Sequence, residues 1–250
     1  MTINEEQEKY ISIIKKCFEK EDPSIDCLDD FDWLYEDEKI TSNFEIKAGS
    51  TKVVLIPINI NTNYVYKIPI LGIYDAHFIN DDYDEEINED HESFSRFDPD
   101  GHDNFCAIEV DRCDDICTEG YGDLIAKEYY YGKISNDIPI YIQEKATIYD
   151  KIFDGDTLRT KEEITSVKNV TSSFFNFDEY FNCIPDRWIA DLIAAIGIEE
   201  TIEFFDYLID ASYNNDLHQA NIGYIKGKPV LVDYSGFIYQ WGWEDVNYED

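Results

Sequence analysis

The segment that most constrains the fold of this chain is 214–236, which arranges oxygen-bearing side chains around a short hairpin. It reads Asn-Asn-Asp-Leu-His-Gln-Ala-Asn-Ile-Gly-Tyr-Ile-Lys-Gly-Lys-Pro-Val-Leu-Val-Asp-Tyr-Ser-Gly. Two apolar runs on either side of a Lys-Gly-Lys turn predict the hairpin. Its strands are expected at Ile222–Ile225 and Pro229–Val232. The hairpin sets the distance between Asn221, which precedes it, and Asp233, which follows it.

This spacing resembles the catalytic core of the protein-kinase-like superfamily. Asp216-Leu-His-Gln-Ala-Asn221 resembles the D-x-H-x-x-N loop of small-molecule and atypical kinases, and Asp233-Tyr-Ser-Gly236 resembles the metal-binding D-F-G segment. The resemblance implies that Asp216 is the catalytic base and that His218 lies near the transferred phosphate. It also implies that Asn221 and Asp233 bind the Mg²⁺ of ATP. The alternative is a polar hairpin rich in turn-forming Asn and Asp.

Residues 44–70 predict three strands, and the third contains Lys67. The three strands are expected at Phe44–Ala48, Val53–Ile58 and Tyr64–Ile70. An unpaired amine inside an apolar run is costly, and the resemblance implies that Lys67 contacts the nucleotide α and β phosphates. An edge-strand lysine in solvent is the alternative.

A turn between the first two strands, Gly49-Ser50-Thr51-Lys52, takes the place of the kinase Gly-rich loop. It has one glycine where protein kinases have three. Backbone N–H groups at Gly49 and the hydroxyls of Ser50 and Thr51 would contact phosphate in this interpretation. Any hairpin turn has the same pattern, so the turn alone decides nothing.

A helix is predicted at about 103–118, after an acidic stretch. Its expected apolar stripe consists of Cys106, Val110, Cys113 and Cys117. Glu109 lies on that face, so its carboxylate should point inward and pair with Lys67, as the resemblance implies. Asp111 and Asp103 are alternative partners.

The remaining elements follow from periodicity. We expect an N-terminal helix at 4–20, an acidic connector at 21–39, strands at Lys127–Ile134 and Ile138–Glu144, an irregular stretch at 146–183, and helices at Pro185–Ile196 and Glu199–Ala211.

By resemblance, the strand that ends at Glu144 leads into a hinge, where adenine would bind the main chain near Gln143, Glu144 and Lys145.

The net charge limits the kinds of partner that the chain can bind. The 250 residues carry 55 acidic and 20 basic side chains, a net charge of −35, which excludes a general nucleic-acid binder and an anionic membrane surface as a partner. Residues 75–119 hold 17 acidic and two basic residues. The insertion at 75–102 is therefore either a solvated loop or a surface that docks a basic protein or imitates DNA.

Cysteine usage favours buried reduced thiols. The six cysteines form no C-x-x-C pair, so a zinc site is disfavoured. No signal peptide or membrane-spanning run is recognised in the sequence. We therefore expect a cytoplasmic protein, in the host cytoplasm if the source is viral.

These observations predict an α+β, two-lobed kinase-like fold. An antiparallel N-lobe sheet with one helix is expected at 41–145, preceded by the helix and connector at 1–40, and a reduced, mainly helical C-lobe is expected at 146–250. Asn214 replaces the catalytic-loop His of protein kinases. Only 14 residues follow Gly236, which argues against ordinary peptide phosphorylation.

The expected function is that of a nucleotide-binding transferase, a Mg-ATP-dependent phosphotransferase on an unknown acceptor. Transfer of AMP instead of phosphate is a variant that the sequence leaves open. The alternative is a pseudokinase or an acidic, DNA-mimic-like protein that sequesters a basic partner, since fold does not imply function. Oligomeric state is not indicated by the sequence.

Overall fold

A computed structural model describes residues 4–21, 23–25, 28–49, 51–59, 61–71, 104–134, 138–149, 158–181, 184–211, 213 and 217–234. Ser50, Asp216 and the acidic insertion at 75–102 lie outside the described residues. The chain divides into two compact units, 1–113 with 127–145, and 114–126 with 146–250. The predicted α+β class is confirmed, with a five-stranded antiparallel sheet and several helices.

The helices and strands of the described residues have the following bounds. The α-helices are α1 (Glu5–Glu21), α2 (Glu38–Thr41), α3 (Phe105–Thr118), α4 (Lys161–Thr171), α5 (Phe177–Phe181), α6 (Asp186–Ile196) and α7 (Ile198–Asp210), with 3₁₀ helices at Leu28–Tyr35 and Gln219–Asn221. The strands are β1 (Phe44–Ala48), β2 (Lys52–Pro57), β3 (Tyr64–Pro69), β4 (Glu128–Lys133), β5 (Pro139–Glu144), β6 (Thr147–Ile148), β7 (Ile222–Ile225) and β8 (Lys228–Leu231).

The first unit is built on the sheet β1-β2-β3-β5-β4, in which every neighbouring pair is antiparallel. Alternate residues of each strand point to opposite faces. Leu55, Tyr66, Ile68, Ile140 and Ile142 lie on one face and belong to the buried core. The other face carries the polar side chains described below.

The N-terminal helix covers the apolar face of this sheet. Tyr10 of α1 packs edge-on against Phe44, with ring centroids 5.3 Å apart, and lies 6.1 Å from the ring of Tyr66. Phe18 is fully buried and contacts the ring of Trp33 at 5.0 Å. Burial of side chains of this size stabilises by roughly 1.5–3 kcal/mol each. The described residues of the segment at 1–40 therefore contribute to the first unit's core.

The second unit contains the three-stranded sheet β6-β7-β8 with helices packed against it. Trp188 of α6 is buried and donates its indole N–H to the oxygen of Gly223, at 3.3 Å. A Cβ at Gly223 would lie 2.5 Å from the main-chain oxygen of Thr147, so only glycine lets β6 and β7 approach this closely. An aromatic cluster joins α5, α7 and the chain before α5, and consists of Phe174, Phe177, Phe181, Phe204 and Phe205.

The prediction that 146–183 is irregular was wrong. Helix α4 begins with a capping box, in which Thr160 Oγ1 accepts from the Glu163 N–H at 3.0 Å and Glu163 Oε2 accepts from the Thr160 N–H at 2.8 Å. These reciprocal bonds satisfy two donors at the start of a helix. The pattern Thr-x-x-Glu, followed by buried Val167 and Val170, is visible in the sequence and predicts this helix.

One residue of the predicted α3 stripe was also misplaced. Cys106 and Cys113 are buried as expected, whereas Cys117 is exposed and Ile116 is buried in its place. The described cysteines, which include Cys17, are free thiols. Among the described helices, none is long and apolar enough to cross a membrane.

Candidate functional site

Lys67 lies on the polar face of the first unit's sheet, in the middle of β3. The register pairs it with Val54 of β2 and Tyr141 of β5. Its Nζ donates to Glu109 Oε2 of α3 at 2.7 Å and to Glu128 Oε2 of β4 at 2.7 Å. The structure therefore brings Lys67 into contact with Glu109, the partner that the sequence assigned to it, and adds a second carboxylate.

Two more side chains complete the arrangement. Lys52, the first residue of β2, donates to the same Glu109 Oε2 at 3.0 Å, and Gln143 Nε2 donates to Glu128 Oε2 at 3.1 Å. We call Lys52, Lys67, Glu109 and Glu128 the lysine–glutamate cluster. Each of its four side chains is at most 7% exposed. Two ammonium groups and two carboxylates thus balance in charge within the core of one unit.

Sequence reasoning missed two members of this cluster. Lys52 directly precedes the apolar run Val-Val-Leu-Ile, so the signal that pointed to Lys67, a single charge beside apolar strand residues, also applied to Lys52. Glu128 directly follows Lys127, so it is not an isolated charge and this signal did not single it out. Of the alternative partners, Asp111 is exposed and Asp103 lies outside the described residues.

Helix α3 is positioned to present Glu109. Asn104 Oδ1 accepts from the Ala107 N–H at 3.1 Å at the start of the helix, and Asn104 Nδ2 donates to the Tyr141 hydroxyl at 2.8 Å. Asn104 is completely buried. It therefore links the first turn of α3 to strand β5, which holds Glu109 over the sheet.

Cys106 lies beside the two carboxylates but does not form a convincing metal centre. Its Sγ and one oxygen each of Glu109 and Glu128 lie within 4.8 Å of one another. Burial, followed by the charge of Glu128, raises the pKa of the Cys106 thiol well above its usual value. Because Lys67 contacts both carboxylates, a metal ion here would have to displace an ammonium group.

The predicted nucleotide-contacting positions of the first unit are partly accessible. Gly49 is exposed, and its N–H donates to the oxygen of Lys52 at 2.9 Å, which closes the turn. Thr51 is 9% exposed, and its main-chain oxygen accepts from the N–H of Ile70. A phosphate at this turn would therefore find the N–H of Gly49 already engaged in a hydrogen bond.

Adenine is expected to bind the main chain near Gln143, Glu144 and Lys145, and two of the N–H groups there donate to main-chain oxygens. The N–H of Glu144 donates to the oxygen of Lys127 at 2.9 Å, and the N–H of Lys145 donates to the oxygen of Asn63 at 2.8 Å. The Glu144 carboxylate accepts from the Lys127 N–H at 3.1 Å. Both backbone donors already have partners, so they do not offer adenine a free hydrogen bond.

In the second unit the hairpin brings Asn221 and Asp233 together, as its length predicted. The main-chain oxygen of Asn221 accepts from the N–H of Val232 at 2.8 Å and from the N–H of Asp233 at 3.4 Å. Asn221 is 7% exposed and Asp233 is half-buried. Carboxylate and amide oxygens are ligands that Mg²⁺ accepts, so the two residue types fit the predicted magnesium site.

Neighbouring contacts hold this part of the second unit in place. His218 Nδ1 accepts from the Ala220 N–H at 3.2 Å and caps the 3₁₀ helix that ends at Asn221. The hydroxyl of Tyr234 is buried and donates to the oxygen of Ala126 at 3.0 Å. The chain on both sides of the Asn221–Asp233 contact is therefore anchored. Asp216, the predicted base, is not among the described residues.

Comparison with known proteins finds no matching family model, no matching curated protein and no matching solved structure. Two groups of side chains form the candidate functional site residues of the described chain. One is the lysine–glutamate cluster of the first unit. The other is His218, Asn221 and Asp233 in the second unit.

Proposed function

We propose that the chain is a nucleotide-binding, kinase-like protein that acts as a Mg-ATP-dependent phosphotransferase on an acceptor not yet identified. The observation that carries this proposal is the buried ion pair between Lys67 and Glu109, at 2.7 Å. In protein kinases a strand lysine that contacts the nucleotide phosphates must be paired with a helix glutamate for activity. Lys67 lies on β3 and Glu109 on α3, the next helix among the described residues.

The arrangement of elements around this pair supports the proposal. Within the described residues, helix α3 lies in the chain between β3 and β4 of a five-stranded antiparallel sheet. A two-lobed kinase-like fold has an antiparallel sheet with one such helix in its first lobe and a mainly helical second lobe. The second unit, with α4 to α7 and a small sheet, is consistent with that second lobe.

The energetics of the cluster favour a functional explanation over a purely structural one. Removal of charges from water costs several kcal/mol per ion, and replacing a buried ion pair by apolar residues is often neutral or stabilising by about 1–4 kcal/mol. The cluster holds two lysines and two glutamates that are almost completely buried. Apolar side chains in these positions would stabilise the core equally well.

Each candidate residue has a proposed role in nucleotide binding or phosphate transfer. Lys67 binds the nucleotide phosphates and Glu109 orients it, while the turn at Gly49, with Ser50 and Thr51, covers them. Asn221 and Asp233 hold the magnesium that accompanies ATP. Asp216 positions the acceptor hydroxyl and accepts its proton, and His218 lies near the transferred phosphate.

A thermal-shift experiment tests nucleotide binding. A ligand present at 100 times its Kd stabilises by about 2.7 kcal/mol, and each kcal/mol moves the Tm of a chain of this size by about 2–4 °C, so a rise of roughly 5–10 °C is expected with Mg-ATP. Asp233→Asn should lose the magnesium-dependent part of the rise. Asp210→Asn, at an exposed position in the same unit, is the matched control and should keep it.

The outcomes separate the possibilities. Absence of any shift with millimolar Mg-ATP in the wild-type protein overturns the proposal. If binding is observed, transfer of label from γ-labelled ATP to protein or small-molecule acceptors supports phosphotransfer, and transfer from α-labelled ATP supports AMP transfer. Binding without either transfer points to a pseudokinase.

A second candidate function, an acidic protein that docks a basic partner, is favoured by the exposed face of α7. Its carboxylates are spaced by four, three and four residues along one side of the helix, at Glu199, Glu203, Asp206 and Asp210. The helix carries no basic residue. Binding of a deca-arginine peptide tests this candidate. Binding that weakens with added salt and in the double variant Glu203→Gln, Asp206→Asn would support it, and the absence of such binding would contradict it.

A further inference from the structure

We propose that Glu128 is a positioning residue that competes with nucleotide phosphate for the ammonium group of Lys67. In this arrangement Lys67 exchanges the Glu128 carboxylate for a phosphate oxygen when nucleotide binds and keeps Glu109 as its constant partner. The inference rests on the proposed nucleotide-binding function. It assigns a role to a carboxylate that the Lys67–Glu109 pair does not need.

The geometry shows that Lys67 is shared between two carboxylates. Nζ lies 2.7 Å from an oxygen of Glu109 and 2.7 Å from an oxygen of Glu128, and the Lys67 side chain is 4% exposed. An ammonium group has three N–H donors. Two of them are directed at carboxylates, and the side chain that carries them is almost completely buried. A phosphate oxygen can therefore reach Nζ at hydrogen-bond distance only if the groups packed around Lys67 rearrange.

The charges of the cluster also support the exchange of Glu128 for phosphate. Lys52 and Lys67 balance Glu109 and Glu128, so the cluster is neutral without a ligand. Addition of a polyphosphate would introduce uncompensated negative charge next to two buried carboxylates, and like charges at short range in a poorly solvated site repel strongly. Withdrawal of one carboxylate from Lys67 relieves that repulsion.

Glu128 is better suited than Glu109 to be the partner that leaves. Glu109 holds both Lys52 and Lys67, and its helix is anchored by Asn104. Glu128 also accepts a hydrogen bond from Gln143 Nε2 at 3.1 Å. After Lys67 turns away, Gln143 still donates to Oε2 of Glu128, so this oxygen keeps one hydrogen bond, and the new contact between Lys67 and phosphate has to offset the loss of the cationic partner.

Isothermal titration calorimetry with Mg-ATP and with adenosine as probes tests the inference. Glu128→Gln removes the competing charge and keeps the shape and the acceptor for Gln143, so it should bind Mg-ATP about tenfold more tightly than the wild type. Its affinity for adenosine, which carries no phosphate, should not change. Glu109→Gln should bind Mg-ATP about tenfold more weakly, because Lys67 loses its constant partner.

A matched control and a second variant keep the test decisive. Glu45→Gln, at an exposed position of β1, should leave both affinities at the wild-type value. If Glu128→Gln does not fold, Glu128→Asp, which shortens the side chain and draws its carboxylate back from Lys67, should still tighten Mg-ATP binding, by less.

The experiment distinguishes failure of this inference from failure of the proposed function. If wild-type protein does not bind Mg-ATP, the proposed function fails and the inference fails with it. If wild-type protein binds Mg-ATP but the Glu128 variants bind it equally or more weakly, the proposed function stands and the inference is overturned. Equal tightening for ATP and adenosine also overturns it, since that result indicates a general structural effect.

Discussion

At the scale of single residues, Lys67 shows how a charge is accommodated in the core of the first unit. Its ammonium group is removed from water, and the two carboxylates of Glu109 and Glu128 replace the lost hydration. Each carboxylate has a further donor, from Lys52 and from Gln143 respectively. The stability of this site therefore depends on the complete set, since removal of one member exposes the others to an uncompensated charge.

We predict that Lys67→Met destabilises the protein by about 3–5 kcal/mol, because it leaves Glu128 buried without its cationic partner. Urea denaturation followed by circular dichroism measures the change in the free energy of unfolding. Lys47→Met, at an exposed position of β1, is the matched control and should change that free energy by less than about 0.5 kcal/mol. Combining Lys67→Met with Glu128→Gln should recover part of the loss, and an additive double variant would contradict this explanation.

At the scale of secondary-structure elements, helix α4 depends on the chemistry of its first turn. The capping box of Thr160 and Glu163 satisfies backbone donors there, and hydrogen bonds from the N–H groups of Arg159 and Thr160 lower the pKa of Glu163. Because the folded-state pKa of this carboxyl lies below its unfolded value, the contribution is present above the unfolded pKa of about 4.5. It is lost as the pH falls through the lowered folded-state value. Glu163 Oε1 also accepts from Arg187 of α6 at 2.7 Å, which joins the two helices.

We predict that Thr160→Ala lowers the free energy of unfolding by about 1 kcal/mol through loss of the cap. Thr165→Ala, at an exposed position inside the same helix, should be neutral or slightly stabilising because alanine has the higher helix propensity. Thermal unfolding by circular dichroism at pH 7 compares the two. An equal loss in both variants would show that the cap does not hold the helix.

At the scale of the whole molecule, the net charge of −35 opposes compaction. The screening length of salt solutions falls from about 30 Å at 0.01 M to about 10 Å at 0.1 M, so added salt weakens repulsion between distant carboxylates. The lysine–glutamate cluster, being buried, is screened far less. Salt should therefore act on the surface charge and leave the interior pairs nearly unchanged.

We predict that the Tm rises as NaCl is increased from about 0.01 M to about 0.1 M. Glu203→Lys, on the exposed acidic face of α7, should raise the Tm at low salt, and the gain should shrink at high salt because the repulsion it relieves is already screened. Differential scanning calorimetry of both proteins at each salt concentration measures this. A Tm that falls with salt would show that attractive surface pairs outweigh the repulsion.

Local sequence patterns were enough to place most elements. Alternation predicted β1 to β5, and helical periodicity predicted α1, α3, α6 and α7 to within a few residues, because these signals depend only on neighbours along the chain. The contact between Asn221 and Asp233 was also predictable, since a short hairpin joins the two. Helix α4 was missed although its capping signal is local, so that error lay in the interpretation of the sequence.

The resemblance supplied the pair of Lys67 and Glu109, but only the tertiary structure decided that Lys52 and Glu128 join it. Lys67 is separated by 42 residues from Glu109 and by 61 from Glu128, and Lys52 is 57 residues from Glu109. A residue's own pattern shows that a charge is buried, but the selection of its partner among 55 acidic side chains depends on strand order and register. The sequence by itself thus determined that Lys67 needs a carboxylate. The order β3-β5-β4 and the position of α3 determined that it has two, since those elements bring both glutamates to the same face of the sheet.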